Sequence, residues 1–95
     1  MANYIITKNK EYFEKIGDYN YCTLEDMILP NTIAVDSETT GLEARHEDMF
    51  CLQIGSGTNN YIIDFYTSED HYTFQEVIPY LDGKELVGQY LVFDL

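Results

Sequence analysis

The stretch Thr32-Ile33-Ala34-Val35-Asp36-Ser37-Glu38-Thr39-Thr40-Gly41-Leu42 decides how the chain reads. Its first residues are β-branched or apolar, types that suit a buried strand, and they predict one over Thr32 to Asp36. Side chains alternate along a strand, so the period of two points the carboxylates of Asp36 and Glu38 to the same face. Two acids side by side repel each other unless a cation sits between them, and hard oxygen ligands suit Mg²⁺ or Mn²⁺. The pair is too small a ligand set for a closed cage, so water and a substrate phosphate would complete the shell. An isolated D-x-E also fits two solvated acids at a strand end, and the surrounding sequence has to discriminate.

Outward from this run, the polar residues Glu43 to Asp48 lead to a second strand, Met49-Phe50-Cys51-Leu52-Gln53-Ile54-Gly55. Gly55-Ser56-Gly57-Thr58-Asn59-Asn60 supplies turn residues, and Tyr61-Ile62-Ile63-Asp64-Phe65 is a third strand. Short polar connections make the three an antiparallel meander. Within His71 to Leu81, Phe74, Val77, Ile78 and Leu81 stand at i, i+3, i+4 and i+7, the spacing of an amphipathic helix on that sheet. Pro79 weakens its last turn. After the break at Asp82-Gly83, Glu85 to Tyr90 reads as a fourth strand.

Toward the N-terminus, Asn3 to Thr7 is β-rich, and Asn9 suits a cap for a short helix over Glu11 to Ile16, closed by Gly17-Asp18. Thr23 to Leu29 is a second short helical candidate, ended by Pro30-Asn31. With no repeat, low-complexity tract or linker, residues 1–95 read as a single α/β domain or one part of a domain.

Composition limits what such a domain does. Apolar residues make up 45% of the chain, including nine Tyr and five Phe, enough for a core in a chain of this size. Seventeen acids against five bases leave a formal charge of −12, so the mean field repels nucleic-acid phosphates. No basic groove is encoded, and contact with DNA or RNA would have to run through metal ions, a local patch or another segment. Cys22 and Cys51 lack C-x-x-C spacing and read as ordinary reduced thiols. His46 and His71 stand alone among polar and acidic neighbours and are expected to face solvent. Gly55-Ser56-Gly57 lacks the lysine of a phosphate loop and reads as a turn. No signal-like leader and no apolar run of the ~18 to 20 residues that cross a bilayer occurs, so a cytoplasmic protein, bacterial or from a virus-infected cell, is expected.

Ala34-Val35-Asp36-Ser37-Glu38-Thr39-Thr40-Gly41-Leu42 resembles the first motif of the DnaQ-like (DEDD) 3′→5′ exonuclease superfamily, in which a strand ends in D-x-E-T, often followed by T-G-L. Leu86-Val87-Gly88-Gln89-Tyr90-Leu91-Val92-Phe93-Asp94-Leu95 resembles the second motif, V-G-x-N-x-x-F-D-L, as it occurs in the proofreading domains of family A DNA polymerases. The sequence departs from that pattern at Tyr90, where Asn is usual, and at Val92, where Lys or Arg is common; both changes remove polar contacts near the site. The resemblance spans the whole chain but only about the first half of the family's domain. It implies a truncated RNase H-like fold, with no counterpart of the third motif in these residues.

For chemistry the resemblance implies a two-ion hydrolysis of the 3′-terminal phosphodiester of DNA, with Asp36, Glu38 and Asp94 as catalytic, metal-binding carboxylates for Mg²⁺ or Mn²⁺. Asp36 corresponds to the bridging ligand, Glu38 to a ligand of the water-activating ion, and Asp94 to a ligand of the second ion. Thr39, Thr40, Leu42 and Tyr90 fall at substrate-binding positions for a single-stranded or frayed 3′ end, Leu42 as an apolar wedge on the terminal base. Leu42 also reads as a plain loop-capping residue, and Asp94 as a surface acid. Asp64 matches a family position but reads as structural.

The alternative is a non-enzymatic acidic binding protein on the same scaffold, which mimics nucleic acid toward a basic nucleic-acid-binding protein or pairs with a partner along a sheet edge. A third is a piece of a polymerase exonuclease completed by a second polypeptide. No membrane partner is expected.

Overall fold

The computed structural model describes residues 2–14, 17, 19–39 and 49–88. The β-branched run does form a strand, and it outlasts its apolar residues: β3 spans Thr32–Thr39. Its polar second half is carried by pairing with β4, Met49–Gly55, which runs antiparallel beside it from Ala34↔Gly55 to Thr39↔Met49. Asp36 therefore lies within a paired strand and not at its end.

β4 returns through a turn at Gly57, whose φ of +92° lies in the left-handed region that favours glycine, into β5, Asn59–Asp64. The meander is as the sequence predicts. The helix and fourth strand also form: α1 covers Phe74–Leu81, and β6, Glu85–Val87, lies parallel to β3. A capping box starts α1, with Thr73 and Glu76 each accepting from the other's backbone. Pro79 is contained within the helix, which still closes with the Asp82 amide donating to Ile78 O at 3.0 Å.

The N-terminal third departs more from expectation. Ala2–Ile6 is β1, and it joins the same sheet as a parallel neighbour of β5. A two-residue strand β2, Asn20–Tyr21, runs parallel on its far side, giving the order β2-β1-β5-β4-β3-β6. The helix expected over Glu11 to Ile16 is replaced, within its described residues, by a 3₁₀ turn at Lys10–Tyr12. Asn9 does not cap it because its side chain is used elsewhere: Nδ2 donates to Asp70 O at 2.9 Å and Oδ1 accepts from Ser68 Oγ at 3.0 Å. The Thr23 to Leu29 candidate is likewise a single 3₁₀ turn, Leu24–Asp26. Met27 already has ψ near 131°, and the chain stays extended toward Pro30, which disfavours helix in the residue before it.

The core lies on one face of the sheet. Ile6, Ile33, Val35, Leu52, Ile54 and Ile63 present their side chains there, and Phe74, Val77 and Leu81 of α1 cover them together with Leu24 and Met27. Ile78, expected in that set, is half-buried at its margin. Asp64 acts as a clasp at the end of β5. Its Oδ1 accepts from the amides of Tyr66 and Thr67 at 2.9 and 3.1 Å, and its Oδ2 from Thr7 Oγ at 2.8 Å and from Thr67 Oγ. With both oxygens occupied, Asp64 has the structural role its sequence position suggests. His71 is half-buried rather than solvent-facing, with Nδ1 2.7 Å from Tyr72 O. His46 lies outside the described residues. Cys22 and Cys51 are half-buried and no disulfide joins them.

Candidate functional site

Register places Asp36 on the sheet face opposite the core. Ile33 and Val35 are buried beneath α1, whereas Ala34 and Asp36, one residue out of phase, are exposed on the other side. Across the strands Asp36 pairs with Gln53, Gln53 with Ile62, and Ile62 with Ile5, so these four form one row across the sheet. The next row runs Val87, Ala34, Gly55, Asn60, Asn3.

Position 38 is opposite Cys51, two register steps from position 36 and on the same face of β3. Between Glu38 and Thr39 the ladder slips, Glu38 pairing with Cys51 and Thr39 with Met49, so that Phe50 is the extra residue of a bulge. Bulges kink a strand and re-aim its later side chains. Here the bulge sits where the chain leaves the carboxylate pair. Of the remaining candidates, Thr39 is placed as the last residue of β3, while Thr40, Leu42, Tyr90 and Asp94 lie outside the described residues. The β6 pairing still bears on the second motif: Val87 stands beside Ala34, and because β6 is parallel to β3 the chain leaves Val87 in the direction of Asp36.

The two rows bound an open concavity of about 550 Å³. Its floor is shallow because Ala34 and Gly55 are neighbours in register. A Cβ added at Gly55 would stand 3.4 Å from Asn60 Oδ1 and 3.7 Å from Ala34 Cβ. Around that floor stand the amides of Asn3, Asn60 and Gln53, with Asn60 Nδ2 donating to Asn3 Oδ1 at 3.1 Å. These amides, and the Phe50 bulge, are not singled out by sequence motifs. Their one signal is the alternation of β4 and β5, whose core-facing Leu52, Ile54, Tyr61 and Ile63 leave Gln53, Asn60 and Ile62 for the other side.

Asp36 is the one carboxylate of the proposed three whose side chain is described. It is exposed, which suits a ligand shared with water and phosphate rather than a closed cage. Among the described residues no three His, Cys, Asp or Glu side chains converge on a common point. The described lysines are engaged away from the concavity. Lys8 lies 3.6 Å from Asp70, 4.0 Å from Glu76 and over the Tyr72 ring; Lys10 lies over Tyr21; Lys84 Nζ donates to Leu29 O at 2.9 Å. Shifted titrations also fall outside it. Burial, and then the nearby Asp26 charge, raise the Cys22 thiol; burial and then Glu25 raise the phenols of Tyr72 and Tyr80.

Among the described residues no helix is long and apolar enough to cross a membrane. No protein-family model, curated protein or solved structure matches the chain.

Proposed function

We propose that the chain carries the metal-binding strand of a two-metal, DnaQ-like 3′→5′ exonuclease domain with an RNase H-like fold. The observation that carries this reading is the position of Asp36. It is exposed on β3, the fifth of six strands in a mixed sheet and one that ends in D-S-E-T, with the rest of the antiparallel meander on one side and the parallel strand β6, which begins the second motif, on the other.

In this reading Asp36 and Glu38 hold the terminal phosphodiester through Mg²⁺ or Mn²⁺, Asp94 joins them from the segment after β6, and the Thr39 backbone orients the 3′ end. When bound, such ions would make hydroxide available at neutral pH and offset the charge on the leaving 3′ oxygen. Thr40 and Tyr90 line the strand's path, and Leu42 wedges against the terminal base. These 95 residues contain no counterpart of the family's third motif, so hydrolysis by them alone is expected to be slow. Mn²⁺ added to the ¹⁵N-labelled chain is expected to broaden the amide signals of residues flanking Asp36, and an Asp36→Asn, Glu38→Gln variant to abolish that broadening. Nucleotide release from 3′-labelled single-stranded DNA no faster than with Asp36→Ala would remove the activity from the reading. Absence of the broadening would remove the metal site.

A second reading, an acidic protein that binds a basic partner, is favoured by the charge of −12 and by the commitment of each described lysine to contacts away from the open face. Salt-sensitive binding to a basic nuclease or polymerase is its expected signature.

A further inference from the structure

Gln53 is placed on β4 by the alternation that buries Leu52 and Ile54 on the core side, and it stands directly opposite Asp36 on antiparallel β3. Residues so paired have Cβ atoms about 5 Å apart. Both side chains are exposed, and neither has a hydrogen-bond partner among the described residues. The other register neighbours of Gln53 offer it little. Ile62, opposite it on β5, has no polar side-chain atom. Of the two β5 diagonals, Asn60 donates to Asn3, and Asp64 has both oxygens committed to Thr7, Tyr66 and Thr67. Of the two β3 diagonals, Ala34 is apolar and position 38 is the other half of the D-x-E pair. Among the described residues of the sheet, the Gln53 carboxamide therefore has the candidate metal ligand Asp36 as its nearest open acceptor.

We propose that Gln53 is a positioning residue for a divalent cation bound by Asp36: its Nε2 donates to one Asp36 oxygen and leaves the other oxygen for the ion. A carboxylate has lone pairs for both at once. An outer hydrogen bond of this kind fixes the orientation of a ligand that is otherwise free to turn in solvent, and so strengthens metal binding. The carboxamide is neutral, so it does this without adding to the repulsion between Asp36 and Glu38. The proposal rests on the metal-site reading and adds to it a residue from β4.

Two titrations of the full ¹⁵N-labelled chain test it. In the first, the Mn²⁺ concentration that broadens the amides flanking Asp36 gives an affinity. Gln53→Met, similar in length but with no N–H to donate, is expected to weaken that affinity about tenfold, with the urea midpoint unchanged because the position is exposed. Gln53→Asn, which keeps the donor on a shorter arm, is expected to recover part of the loss. In the second, Mg²⁺ is added and the side-chain N–H₂ signals of Gln53, assigned by their loss in Gln53→Met, are followed. One of the two protons is expected to move downfield as it donates, and to stay in place in Asp36→Asn. This second readout reports the hydrogen bond itself, and it decides the matter if Gln53→Met lowers the midpoint. Wild-type Mn²⁺ affinity in Gln53→Met, or a Gln53 N–H₂ pair unmoved by Mg²⁺ while the amides flanking Asp36 respond, overturns the role of Gln53 and leaves the metal site standing. No response of the wild-type chain to either ion overturns both.

Discussion

The two faces of this sheet are built from the same strands and obey different rules. On the face under α1, Ile33, Val35, Leu52, Ile54 and Ile63 interlock with Phe74, Val77 and Leu81, and several are without solvent contact. One residue out of phase, the other face carries Ala34, Asp36 and Gln53, which are exposed, and Gly55 and Asn60, which are half-buried; all are small or polar. On β3 and β4 one side holds the domain together, while the other presents Asp36 and Gln53 to solvent. The difference also says where substitutions should act on stability and where on binding.

The contrast is broken most directly at Leu52. Leu52→Ala leaves a cavity beneath α1 and is expected to cost about 3 kcal/mol, read as the shift in urea midpoint at unchanged slope. For a domain this small such a loss leaves a large unfolded fraction in native buffer. Asp64→Ala is expected to come next at about 2 kcal/mol, because it strands donors from both ends of the clasp; Asp64→Asn, able to accept on one oxygen only, should recover part of it. Thr73→Ala removes the cap of α1 and is expected to cost about 1 kcal/mol by the same measurement. Gln53→Ala, on the open face beside Leu52 in sequence, should change stability by less than about 0.5 kcal/mol. A large loss there would mean that the two faces are not separable.

The smallest expected effect is a slope with pH. Burial raises the Cys22 thiol above its ordinary value of 9.0 and the Tyr72 phenol above 10.0, so the folded state holds these protons more tightly than the unfolded chain. Stability from these groups is complete below the unfolded values and falls as pH rises through 9.0 and then 10.0 toward the folded ones. Denaturant midpoints measured across that range should decline, and Cys22→Ala should flatten the lower part of the decline.

Much of the core face is legible in the sequence because periodicity there coincides with burial. Phe74, Val77 and Leu81 at helical spacing, and alternating Leu52 and Ile54, announce both element and orientation. The candidate site is legible in part: a period of two suffices to put Asp36 on the face away from Val35. The polar continuation of β3 to Thr39 is not, because its pairing with β4 supplies what Ser37, Glu38 and Thr39 lack in propensity. Nor does the chain near Asn3 reveal that it pairs with Asn60, since strand partnership over that distance leaves no local pattern. The failed N-terminal helix has the same origin, with Asn9 bonded to the turn at Ser68 and Asp70 rather than to its own backbone.

The docking of β1 on β5 has a consequence in time. Asn3 and Asn60, bonded to each other in the finished sheet, are 57 residues apart, so a ribosome releases β1 long before the strand that receives it exists. Until then a β-prone segment, Asn3-Tyr4-Ile5-Ile6-Thr7, waits without its neighbour, and its closure carries the entropy of a long loop. Folding of the meander and α1 is therefore expected to precede the arrival of the N-terminal strand. The interval between the two is when this protein is most exposed to misassociation through β1.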